Sequence, residues 1–156
     1  MQWSNVLADP CLQNLPYKIE LNGQGKIEMS PASNLHGFTQ TEIAFLLRQH
    51  LPHGKVITEC GIRTVDGVKV ADVAWGSTAF FERQSLEDDP FEYAPEICVE
   101  IVSPGNSQAE MQQKIRLYLQ QGALEVWLVN LEGNCRFFTQ KGEQGKSGFD
   151  VSVIPH

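Results

Sequence analysis

The chain has 156 residues, 42% of them apolar and 20% charged, which suits one domain with a real hydrophobic core and excludes global disorder. No apolar run approaches the roughly 20 residues that span a bilayer. The first ten residues lack both a basic region and a long apolar stretch, so no signal peptide is expected and a cytoplasmic location follows. A net charge of −7, with no Lys/Arg block, excludes strong non-specific binding to nucleic acid.

In chain order, residues 1–16 carry Pro10 and Pro16 with little periodicity and read as an N-terminal arm. A single domain is expected over 17–156. Tyr17–Leu21 and Lys26–Met29 alternate around Asn22-Gly-Gln-Gly25, which predicts a β-hairpin. Ser33 or Asn34 caps a helix over 36–51, whose apolar stripe is Phe38, Ile43, Leu46, Leu47 and Leu51. Strands are expected over 55–60 and 62–65, and Asp66-Gly67 is a hairpin turn leading into a strand over 68–75. One or two helical turns over 77–84 precede an acidic loop over 86–94.

Glu96–Val102 reads as a buried central strand, and Ser107 caps a helix that Gly122 ends. Leu124–Asn130 is a further strand, and the unit over 96–130 should form a parallel crossover. A strand over 135–139, a Gly/Lys-rich loop and a last strand near 149–154 complete the chain. The sum is an α/β domain with a mixed sheet. Cys11, Cys60, Cys98 and Cys135 are too scattered for a zinc site or a disulfide framework, and Trp75 and Trp127 read as core or interface aromatics.

Asp72 and Glu100 stand out because each interrupts an apolar strand, where an unpaired carboxylate is costly. Strand alternation puts Asp72 on a face with Val70 and Ala74, and Glu100 on a face with Cys98 and Val102. If the strands are neighbours, the two acids can share a Mg²⁺ or Mn²⁺ ion with waters and a backbone carbonyl. On the following helix Glu110, Lys114 and Tyr118 are spaced by four and line one stripe. Lys114 could then stabilise charge at a phosphodiester or help activate water. The plainer alternative is a salt-bridged acid and lysine that close off the sheet.

The pieces Ala71-Asp72-Val73, Pro95–Pro104, Lys114, Tyr118, Gly122 and Glu125–Val129, with Met29-Ser30-Pro31 and His36, resemble the Uma-two family. Its members are classed as restriction endonucleases within the PD-(D/E)xK superfamily, largely by motif. The resemblance covers roughly residues 17 to 140. It implies a restriction-endonuclease-like mixed β-sheet flanked by α-helices, with Mg²⁺ held by Asp72, Glu100 and the Ile101 carbonyl, and DNA as substrate. The superfamily lysine two residues after the second acid is Val102 here; in the resembling family the lysine comes from the next helix, where Lys114 stands. Glu110 matches a helical acid of the family, and Ala71 replaces its usual proline.

Five side chains are auxiliary candidates: Glu110 through the resemblance, and four beside an ordinary structural reading, His36 as a packing or capping histidine, Glu42 as an exposed helical acid, Glu59 as an edge-strand residue, and Tyr118 as part of the buried helix face. Ser103–Ser107 could approach phosphate through its amides or be a simple turn. A homodimer is expected, since two-fold assemblies predominate and duplex cutters act on both strands. The alternative function is a catalytically inactive, nuclease-fold interaction or DNA-associated domain; hydrolysis of another phosphoester is a third.

Overall fold

The computed structural model describes residues 1–153. The helices are α1 (Trp3–Ala8), α2 (Asn34–His50), α3 (Thr78–Arg83) and α4 (Gln108–Gln120). The strands are β1 (Tyr17–Leu21), β2 (Ile27–Pro31), β3 (Lys55–Thr64), β4 (Gly67–Gly76), β5 (Ile97–Val102), β6 (Glu125–Asn130), β7 (Cys135–Thr139) and β8 (Gly142–Gln144). They form one mixed sheet in the order β2-β1-β4-β5-β6-β7-β8, with β3 also paired to β4. β5 and β6 are parallel, as the crossover through α4 requires, and every other named pair is antiparallel.

The two faces of the sheet carry different helices. One face packs Ala74, Cys98, Val126 and Leu128 against Met111, Ile115 and Tyr118 of α4. The other packs Val73, Val99, Ile101 and Trp127 against Ile43 and Leu47 of α2. β5 and β6 are therefore buried on both sides, which is why they read as continuous apolar runs. Ser33 and Ser107 accept the N-terminal amides of His36 and Glu110, fixing where α2 and α4 begin.

β3 and β4 are joined by the two-residue loop Val65-Asp66, one position earlier than the sequence suggests. Gly67, at φ +79°, is the first residue of β4, and a Cβ there would come within 2.1 Å of the Leu21 carbonyl oxygen. The stretch that reads as an arm holds a short helix, with Trp3 and Val6 buried against Leu21, Val68 and Val70. The strand expected near 149–154 does not form over 149–153, and Ile154 lies outside the described residues. The edge is taken instead by β8, while Phe149, Val151 and Val153 pack on the α2 face without joining the ladder. All four cysteines are free. Among the described residues, no helix is long and apolar enough to cross a membrane.

Candidate active site

One edge of β4 is shared between two strands. β5 pairs with it at Val73–Trp75, and β1 reaches it at the Leu21–Val68 position. Between these contacts the strands fork apart, and the main chain of Val70 has no ladder partner on that edge. Two side chains of β1 take over. Glu20 accepts from the Val70 N–H at 2.7 Å, and Lys18 Nζ donates to the Val70 carbonyl at 2.9 Å. Lys18 and Glu20, two apart on one strand, share a face, so both enter the fork.

Asp72 and Glu100 sit at the root of this fork. Continuing the β4–β5 register by one step sets them opposite each other, on the face that α4 covers. They are 0% and 1% exposed. Each has one oxygen committed. Asp72 Oδ2 accepts the Ile101 amide at 2.7 Å, and Glu100 Oε1 accepts the Tyr118 hydroxyl at 2.7 Å. The remaining oxygens, Asp72 Oδ1 and Glu100 Oε2, converge on a single cation, the Lys18 ammonium, at 3.1 and 2.9 Å.

Lys114, on the buried side of α4, lies 2.9 Å from Glu20 Oε2 and 3.4 Å from Glu100 Oε1. His36 Nε2, at the start of α2, lies 3.4 Å from Asp72 Oδ1, and its buried Nδ1 has no hydrogen-bond partner among the described residues. The cluster thus holds three carboxylates against two ammonium groups, and a protonated His36 would balance it. Burial works against the charge on Asp72, yet the His36 hydrogen bond, the Lys18 charge and the Ile101 amide hold its pKa well below the usual carboxylate range. Burial dominates at Glu100 and keeps it above that range, although Lys114 and Lys18 pull it down. Burial also opposes the charge on Lys18, but Glu100, Asp72 and Glu20 outweigh it and raise the ammonium well above the ordinary lysine value. Burial and the charges of Glu100 and Glu20 push the Tyr118 phenol up, so it remains a donor.

β3 is distorted beside Asp72. Glu59 adopts φ +53°, and the ladder breaks between the Thr58–Val73 and Cys60–Ala71 pairs. Gln40 of α2 bridges the break, its Nε2 donating to the Asp72 carbonyl and to Glu59 Oε1, both at 2.8 Å.

Of the side chains singled out in the sequence, Asp72, Glu100, Lys114, Tyr118 and His36 meet in one place. Glu59 and Glu110 line the same cleft, which has a volume of about 780 Å³. Glu42 is exposed and lines a separate depression beside Ile43 and Phe45. The carbonyl that Lys18 reaches is that of Val70, and the Ile101 N–H donates to Asp72. Trp75 and Trp127 are core residues, their indole N–H groups bound by the Leu51 carbonyl and Glu125. Lys18 and Glu20 were not among the candidates. Their only signal was two charges of opposite sign on one face of a short strand.

Among the described residues, no group of three or more His, Cys, Asp or Glu side chains is arranged to hold a metal ion. The donors present nevertheless suit a hard cation: two carboxylate oxygens and a carbonyl, all oxygen, beside a wide cleft with room for waters.

A mixed sheet with helices on both faces and an acid pair where two strands part defines the class of restriction-endonuclease-like folds. The family model described as "Uma2: Putative restriction endonuclease" matches residues 7–147, and the chain belongs to that family. Its fold is similar to the crystal structure of "a putative nuclease belonging to DUF820" from Anabaena variabilis ATCC 29413. The TM-score is 0.71 at 20% identity, covering 100% of this chain and 89% of the other. No curated protein matches the chain.

Proposed function

We propose that this protein is a Mg²⁺- or Mn²⁺-dependent endonuclease that hydrolyses DNA phosphodiester bonds, acting as a homodimer on duplex substrate. The observation that carries the reading is the convergence of Asp72 Oδ1, Glu100 Oε2 and the Val70 carbonyl on one cation position at the edge of a cleft. A divalent ion held there supplies Lewis-acid polarisation of the phosphate and a more acidic water. Asp72 and Glu100 are its side-chain ligands. The Ile101 amide and the Tyr118 hydroxyl orient them by occupying their outer oxygens, and Gln40 fixes the backbone of the first.

Lys114 stands beside Glu100 with Glu20 as a second counter-charge. That pairing supports a role in balancing negative charge more than one as a base. Plasmid nicking in Mg²⁺ or Mn²⁺ tests the reading. Asp72→Ala should lower the rate by about 10³-fold, the equivalent of several kcal/mol of lost transition-state stabilisation. Equal nicking by both proteins would remove it.

A second reading, a catalytically quiet nuclease-fold domain that binds a partner, is favoured by one observation. The cleft is lined by six acids against two lysines, a poor match for a polyanion. It predicts no heat on adding Mn²⁺ in calorimetry.

A further inference from the structure

We propose that Lys18 is a resident counter-ion that a divalent cation must displace, so that metal enters this site by exchange with an ammonium group. This rests on the metal-dependent reading above and says how that site is regulated.

All three protons of the Lys18 ammonium are used on the oxygens that would form the protein side of a metal shell: Val70 O at 2.9 Å, Asp72 Oδ1 at 3.1 Å and Glu100 Oε2 at 2.9 Å. A hard divalent ion needs the same oxygens at roughly 2.0–2.6 Å. Two cations cannot share that space, because like charges a few ångströms apart repel strongly in a partly buried setting.

The remaining contacts decide which cation gives way. Lys114 is fixed on α4 and has Glu20 as a partner of its own, so it can stay. Among the described residues, Lys18 has no carboxylate within ion-pair distance other than Asp72 and Glu100. It extends from β1, and its side chain, 11% exposed, lines the cleft into which it would swing. In the metal-free protein the ammonium keeps the two acids from facing each other uncompensated. Once displaced, it leaves a positive group in an otherwise acidic cleft, where a phosphate would meet it. Lys18 thus lowers the apparent affinity for metal and answers part of the charge mismatch noted above.

Two measurements test the exchange. In the wild-type protein, lysines are labelled with an amine-reactive ester, with and without saturating Mn²⁺, and mapped by mass spectrometry. Lys18 should become several-fold more reactive with Mn²⁺, while exposed Lys26 and Lys146 stay constant. In calorimetry, Lys18→Met should bind Mn²⁺ about tenfold more tightly than wild type, as expected on removing one opposing charge at contact distance. If Mn²⁺ binds with measurable heat but Lys18 labelling is unchanged, or if Lys18→Met binds no more tightly, the exchange is wrong and the metal site stands. If neither protein gives heat with Mn²⁺, both the exchange and the metal-dependent reading fall. The labelling arm needs no variant, so a Lys18→Met protein that fails to fold leaves the question decidable.

Discussion

Two buried carboxylates on neighbouring strands are satisfied in opposite ways. Glu125, 4% exposed on β6, is held by neutral donors: the Trp127 indole, the Ser147 hydroxyl and the Gly148 amide. These fix the segment after β8 against the sheet, and among the described residues no cation pairs with the acid. Glu100, 1% exposed on β5, has one oxygen fixed by Tyr118 and the other given to a long, flexible lysine. A carboxylate that serves the fold is closed off by short, rigid donors. On the metal-dependent reading proposed above, Glu100 keeps one oxygen for a cation that can leave.

The largest test of this contrast is Glu100→Ala. It takes one of two carboxylate partners from each of Lys18 and Lys114, leaves the Tyr118 hydroxyl without its acceptor and opens a cavity, so unfolding in denaturant should show a loss of about 3–5 kcal/mol, and Mn²⁺ heats should vanish. Glu125→Gln should cost less, about 1–3 kcal/mol for imperfectly matched buried donors, and should leave Mn²⁺ calorimetry unchanged. If it abolished metal binding, the two acids would not be functionally separate.

The smallest effect concerns pH. The hydrogen bond to Asp72 raises His36 above its ordinary 6.5, against the opposing effects of burial and Lys18, with a further contribution from Glu59. A raised folded-state value means its contribution is complete below pH 6.5 and is lost as pH rises through the higher value. Melting temperature should therefore fall on the alkaline side of 6.5 in the wild type. His36→Gln should flatten that fall; an unchanged profile would show that His36 contributes nothing to it.

The acids were legible because each is a charge inside an apolar run, an anomaly visible within five residues. Tyr118 and Lys114 were legible through helical spacing from a capped start. Lys18 and Glu20 were not, because in an alternating hairpin a lysine and a glutamate two apart look like ordinary solvent-facing residues. Their roles depend on a strand some fifty residues further along, as in the Lys18–Val70 bond. Phe149, Val151 and Val153 misled in the other direction. Their alternation is that of a strand, but it serves packing on the α2 face after Glu125 has anchored the preceding turn. The helix at Trp3–Ala8 is too short for any periodicity to register.

The β1–β2 hairpin meets β4 through one main-chain register position, Leu21–Val68, and otherwise through the side chains of Lys18 and Glu20 and an apolar contact around Leu21. With a single ladder position across this seam, the hairpin should open at a lower free energy than the β4–β5 frame, and amide exchange should be faster in β1 than in β5. If the proposed exchange occurs, a tilt of the hairpin would carry the Lys18 ammonium away from the two acids, which belong to the β4–β5 frame, and would widen the cleft above them.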